Sequence, residues 1–467
     1  MAKKTERRIL LKTVSVTNDF TKGSIIKNIL NLALPMTLAQ LINVLYNIVD
    51  RIYIGMMPEN ASLATTGLGL SLPIITMVIA FANLFGMGGA PLCSIARGRG
   101  DNKGAEHIMG NSFMLLVISG IALTLTGLVL KRPMLYLFGA SDATYPFANE
   151  YITIYLFGSL FVMIGLGMNS YINSQGFGKV GMLSVLLGAV ANIILDPIFI
   201  FVLDMGVRGA ALATIISQFL SAIWILHFLT GKKTILKLRY QYFTLKKKYV
   251  FQITSLGLSG FVMAVTSSGV QIICNKTLQA YGGDLYVGVM TVLNTIREVI
   301  TLPVNGIING AQPVIGYNYG AYAYGRVKSA IKFMTVICIL YTFTAWGILN
   351  LFPSFFIHLF SHDTILIAAA LPSLRIYFFG FFMMSLQFSG QSTFLALGKS
   401  SYAIFFSLLR KAVIVIPLTL LLPRLSNLGV NGVFLAEPIS NFIGGIASFA
   451  TMVFVVNREM NCDKEKF

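Results

Sequence analysis

Twelve apolar runs alternate with short polar connections along the chain. They fall at about 27–56, 63–92, 107–130, 147–175, 180–203, 209–230, 249–278, 285–314, 329–353, 364–395, 400–423 and 429–456. About 20 apolar residues suffice to cross a bilayer as a helix. The pattern therefore predicts an all-α polytopic membrane protein with 12 transmembrane helices. Every second connection is basic: residues 1–30 hold seven Lys/Arg, the 231–248 linker another seven, and the 2–3 loop Arg97, Arg99 and Lys103. The opposite set of connections holds Lys131, Arg132, Arg208 and Arg424. An excess of Lys and Arg marks the cytoplasmic side. A multi-pass protein of the plasma (cell) membrane is expected, with both termini cytoplasmic. Residues 1–26 read as a basic cytoplasmic N-terminus rather than a cleavable signal, and 458–467 as a cytoplasmic tail.

The pattern also repeats. Gly206 to Ser217 aligns with Gly429 to Ser440, Tyr155–Gly158 with Tyr377–Gly380, Gly178–Lys179 with Gly398–Lys399, and Gly89–Ala90 with Gly310–Ala311, at offsets of 220 to 223. Collinear matches at one offset outweigh coincidence among Gly, Leu and Ala. Residues 27–230 (spans 1–6) and 249–457 (spans 7–12) are thus expected to be two copies of one six-helix lobe, joined by the linker 231–248. Six is even, so the copies enter from the same side and a pseudo-twofold along the membrane normal relates them. Many transporters expose a central site to each side in turn with such a pair of lobes.

Composition agrees: 56% of the 467 residues are hydrophobic and 11% charged. The net charge of +18 sits between apolar runs, so it reads as topology and not as a nucleic-acid footprint. Cys93, Cys274, Cys338 and Cys462 show no metal-like or paired spacing.

Against this background the intramembrane acids stand out, because an ionisable group inside a span is functional by default. Asp50 lies eight residues before Pro58 at the end of span 1, and Asp196 eight before Asp204 at the end of span 5. Both helices run outward, which places both carboxylates roughly 12 Å below the outer end at about 1.5 Å per residue. Asn192 precedes Asp196 by one turn, and Thr214 of span 6 falls in the same layer. Neighbouring buried carboxylates cannot both ionise cheaply, so the group can take up H+, or its oxygens can ligate a hard cation such as Na+. Otherwise Asp50 pairs with Arg51, and Asp196 caps the break at Pro197. Pro35, lacking an amide donor, favours a bend in span 1. The second lobe lacks the acidic pair. Glu437 stands where Thr214 does, and Arg297, Glu298, Arg375, Arg410 and Lys411 line the central cavity, or else Arg297 and Glu298 pair with each other and Lys411 snorkels.

These features resemble the multidrug and toxic compound extrusion (MATE) family, over about residues 20 to 457. Pro35, Asp50 and Gly55, then Asn192 and Asp196–Pro197, Gly206 with Thr214, and the duplicated six-helix layout carry the likeness. It is closer to DinF-like and MepA-like members than to NorM. The resemblance implies an efflux antiporter that exchanges lipophilic, mostly cationic small molecules for H+ or Na+ across the lipid bilayer. It implies no cofactor beyond that ion and places the ion site on Asp50, Asn192, Asp196, Thr214 and Tyr151. A functional monomer is expected. The NorM-like acids of spans 7 and 10 are missing, since Gly257–Leu278 and Tyr377–Leu397 contain no Asp or Glu.

Other readings carry less. Gly398–Lys399–Ser400 ends like a phosphate loop, but Thr393 stands where that loop needs Gly. Asp101 lies in a basic polar loop, and the four histidines share no metal-like spacing. A flippase or exporter of lipid-linked or anionic cargo stays open because of the second-lobe cations. An intramembrane aspartyl enzyme using Asp50 and Asp196 is disfavoured by the duplicated lobes. The chain is expected not to be an enzyme.

Overall fold

The computed structural model describes residues 18–57, 61–425 and 428–462. Pro58, the basic residues 1–17 and the tail residues 463–467 lie outside them. The fold is all-α and polytopic. Among the described residues ten helices are long and apolar enough to cross a membrane, and eleven if one bent pair counts as a span. The first six are α1 (Ile25–Gly55), α2 (Ala61–Gly98), α3 (Asn102–Leu137), α4 (Tyr145–Ser174), α5 (Gly178–Pro197) and α6 (Gly206–Thr230). Asp101 caps α3 by accepting from the Gly104 amide at 2.7 Å. A proline in the first turn starts α4, where its missing donor costs nothing.

In α1, Leu34, Leu38, Leu41, Leu45, Ile48 and Ile52 are all exposed, at the three- and four-residue spacing of one helix face. Ile29, Leu32, Ala33, Asp50 and Ile54 are buried on the other side. An uncovered leucine and isoleucine stripe of that length faces lipid or an apolar ligand path. Pro35 sits inside this helix without interrupting it.

Two places bear on the expected segmentation. First, the runs expected at 249–278 and 285–314 are the two arms of α7 (Lys247–Gly320), which meet at a sharp kink at Gly283 with φ 68°. Asn294 Nδ2 donates to Gln271 Oε1 at 2.9 Å across 23 residues, a separation of about 35 Å in a straight helix. The chain therefore reverses at Gly283, and only glycine adopts that backbone without strain. The arms are called α7a (before Gly283) and α7b (after it). Second, the run 364–395 is a bent pair, α10 (Thr364–Tyr377) and α11 (Met384–Ala396), angled by 48° around Gly380 and a 3₁₀ turn. The remaining elements are α8 (Tyr324–Leu351), the short α9 (Pro353–His358), α12 (Ser400–Leu408), α13 (Ile416–Leu421) and α14 (Val430–Cys462).

The basic connections share one face with the described ends of the chain. Arg97 donates to Ser174 O and Asn18 O, Arg326 to Phe20 O, and Tyr319 to Glu459 Oε1. Buried Gln175 fixes the linker there, its Oε1 accepting from Thr234 Oγ1 and the amides of Ile235 and Leu236.

The apolar interior is divided. One cluster joins the end of α1 to α2–α6 and Ile253; another joins Ile29, Leu32 and Ala33 at the start of α1 to α7b, α8, α11, α12 and α14; a third fills the far part of the carboxy-terminal helices. Helix α1 thus belongs to two cores. The halves touch near the terminal face, where a Cβ at Gly98 would strike Tyr317 O, at Gly257 Leu84 O, at Gly320 Ile95 O and at Gly310 the backbone of Ala33. The sequence repeat has a physical counterpart. A Cβ on Gly209 would meet the Phe199 carbonyl, and one on Gly432 the Leu422 carbonyl, so both pairs are offset by 223.

Candidate ion-coupling site

Asp50, in the last turns of α1, is buried, and Asp196 at the end of α5 is fully buried. Their carboxyl groups lie within hydrogen-bonding reach of each other. Asn192, one turn before Asp196, donates Nδ2 to Asp196 Oδ1 at 3.1 Å. After Pro197 the helix widens into a π-helical turn, Ile198–Val202. Asp196 therefore faces Asp50 and Asn192 instead of capping a break. Tyr151 of α4 is buried, with its hydroxyl beside Thr214 of α6 and close to Asp50. The structure brings all five residues together.

Arg51 is exposed, and among the described residues no salt bridge reaches Asp50 or Asp196. Three buried oxygens, Asp50 Oδ1, Asn192 Oδ1 and Asp196 Oδ2, have no hydrogen-bond partner. Buried acceptors without donors are costly. One proton held between the carboxyls relieves their repulsion, and one cation ligated by these oxygens relieves both the repulsion and the missing bonds. A cavity of about 40 Å³ adjoins it, lined by Asn43, Tyr46, Asn169, Asn192, Thr214 and Ser217 among others. That is room for water, which needs about 10–15 Å³ per molecule.

Sequence reasoning missed Tyr46, which lies near both carboxylates. It precedes Asp50 by one turn, the same spacing that singled out Asn192, so the signal was present. Asn43 and Asn169 gave none beyond being amides in apolar runs.

The charged residues of the second half also meet. Arg297 of α7b, Arg410 and Lys411 in the π-helical turn Leu409–Val415, and Glu437 of α14 surround a cavity of about 390 Å³, with exposed Glu298 at its edge. Arg297 turns to Glu437 and not to Glu298: its Nη1 donates to Glu437 Oε1 at 3.0 Å. Arg375 stays exposed.

Buried acids on a helix shared by two apolar cores are an arrangement suited to a secondary active transporter. The MatE family model matches residues 35–198 and 259–421. The chain belongs to that family, and as a member it is a transporter and not an enzyme. Relatives include the multidrug export protein MepA of Staphylococcus saprophyticus, 25% identical over 454 residues, covering 95% of this chain and 97% of that protein. MepA of Staphylococcus aureus strain N315 is 23% identical over 448 residues, covering 94% and 96%. Among solved structures, MATE in complex with MaL6 superposes with a TM-score of 0.88 at 23% identity, covering 95% of this chain and 99% of that one. An outward-facing multidrug resistance MATE family transporter of the MOP superfamily gives 0.88 at 23%, covering 95% and 98%. The structural matches establish the shared fold.

Proposed function

We propose that the protein is a multidrug efflux antiporter that exports lipophilic, mostly cationic compounds in exchange for H+ or Na+ by alternating access. The observation that carries this reading is the meeting of Asp50 and Asp196 around three unpartnered buried oxygens. The names of the MepA relatives support the cargo class. Counting the two arms of α7 and the bent α10–α11 pair as spans gives twelve helices in two lobes, 27–230 and 249–457, and the paired Gly209 and Gly432 contacts favour a pseudo-twofold. The basic face is then cytoplasmic, with the N-terminus 1–26, the linker 231–248 and the tail 458–467 on that side of the plasma membrane. The transporter works as a monomer.

Coupling runs through α1. Its first turns pack on α7b, and its last turns carry Asp50 against Asp196. With the contacts between halves near the cytoplasmic face, the cleft opens outward. Ion uptake at Asp50, Asp196, Asn192, Thr214 and Tyr151 draws α1 against α5 or cancels their repulsion. Pro35, which leaves one carbonyl of the helix without its amide donor, lets the upper part of α1 move while the lower part stays clasped. The ion must favour one state over the other, since equal affinity shifts nothing.

The test is dye-cation efflux in everted vesicles under a pH gradient or a Na+ gradient, imposed separately. Asp50→Asn and Asp196→Asn should each lose gradient-driven efflux. Full driven activity in both variants removes the pair from coupling.

A further inference from the structure

The cavity between α7, α11, α12 and α14 has the opposite polarity to the ion site. Glu437 Oε1 alone accepts from three cations: Arg297 Nη1 at 3.0 Å, Lys411 Nζ at 3.3 Å, and Arg410 Nη2. Arg410 is held further by Asn441 Oδ1 at 2.6 Å and Ser440 Oγ at 3.2 Å, but these neutral groups cancel no charge. Three cations against one carboxylate leave two positive charges at the cluster, and even with Glu298 at the edge one remains. Arg410 and Lys411 lie ten and eleven residues past Ser400, about 15 Å into the span. Unpaired charge at that depth is expensive, and such residues face water-filled cavities or ligands.

Two further side chains point to a ligand. Gln387 and Gln391, one turn apart on α11, line the same cavity and are 3% and 2% exposed. Gln387 Oε1 and both polar atoms of Gln391 have no partner. The Gln391 Nε2 amide is an unused donor beside a cationic cluster. Arg297 is the most accessible of the cations, its side chain 28% exposed, with Lys411 at 13%. The Tyr377 ring lies 5.7 Å from the Arg297 guanidinium, and Met263, Met384 and Phe388 add apolar wall.

We propose that this cavity binds the carboxylate or phosphate head of an amphiphilic organic anion, with Arg297 and Lys411 as the primary contacts and Gln391 as a neutral donor. The planar guanidinium of Arg297 matches either head with two parallel N–H donors, while the methionine and aromatic wall takes the apolar tail. Glu437 is the internal counter-ion that holds the cations together and competes with the incoming anion. The inference does not depend on the coupling role of Asp50 and Asp196.

Binding to the purified full chain in nonionic micelles tests it by calorimetry, with decanoate, decyl phosphate and decyltrimethylammonium as probes and inorganic phosphate as the head alone. Decanoate and decyl phosphate should bind, and Lys411→Gln and Arg297→Gln should each weaken them by about tenfold, as expected for loss of a charge-assisted contact. Glu437→Gln should tighten both, an effect that a purely structural ion cluster does not give. If that variant fails to fold, the two cation variants still decide. Displacement by phosphatidylglycerol added to the micelles identifies a lipid head as the occupant, and persistence of binding identifies a free amphiphile. No anion binding to the wild type, or equal affinity in wild type, Lys411→Gln and Arg297→Gln, overturns the proposal. Asp50→Asn should leave anion binding intact, so failure of the efflux reading and failure of this one are separable.

Discussion

Asn192 differs from the two acids it sits beside. It makes one hydrogen bond, to Asp196, and its own oxygen is free to ligate. Asn192→Ala removes a hydrogen bond to a charge-bearing group, worth about 1.5–3 kcal/mol. Driven efflux should therefore persist while the ion concentration for half-maximal rate rises by about tenfold, the equivalent of ~1.4 kcal/mol. Unchanged ion dependence would leave Asn192 outside the site. Asp50, Asn192 and Asp196 were legible in the sequence because a charge or amide in an apolar run is conspicuous, and helical spacing gives its depth. Thr214 followed from counting inward from Arg208. The sharing of one Glu437 oxygen by three cations was not legible. Residues 297, 410 and 437 come from three helices with no common local spacing, so only packing could choose Glu437 over Glu298 as the partner of Arg297.

Among the elements, α1 is the one whose two ends belong to different cores, which is why the proposed coupling runs through it. Pro35→Ala restores the missing amide donor and stiffens the helix between them. The variant should bind the coupling ion as the wild type does, with efflux slowed several-fold. Equal loss of ion binding would mean that Pro35 shapes the site itself. Gly257 bears on the seam, since its missing Cβ lets α7a lie directly on Leu84 of α2. Gly257→Leu should force the halves apart at the terminal face, raising cysteine-reagent access there and lowering efflux. Unaltered access would show that the seam has slack. The apolar runs predicted the elements well because lipid demands continuous helices. The 48° bend at Gly380 escaped notice because its repeat partner, Gly158, sits inside the unbroken α4. A glycine in an apolar run permits both outcomes, and the neighbouring packing decides.

Taken whole, the molecule holds two buried sites of opposite character: a carboxyl pair without a basic partner in one half, and surplus cations in the other. Between them the segment Asn18–Phe20 straps the terminal face, accepting from Arg97 on one side and Arg326 on the other. Arg97 is buried, with Tyr317 of α7b 5.1 Å from its guanidinium. Arg97→Ala should lower the melting temperature and favour opening on that face. An unchanged melting temperature would make the strap incidental.

The repeated motifs were readable from offsets alone, whereas the way α1 divides its packing was not, because it depends on contacts such as Ala33–Gly310 and Thr37–Gly306, about 270 positions apart. The central claim is that the Asp50–Asp196 pair governs how the halves move. Spin labels at exposed Leu137 and Leu351, at the ends of α3 and α8 on the face opposite the termini, report the distance between the halves. Adding the coupling ion, by lowering pH or supplying Na+, should shift that distance in the wild type and leave it fixed in the Asp50→Asn/Asp196→Asn variant. An equal shift in both would contradict it.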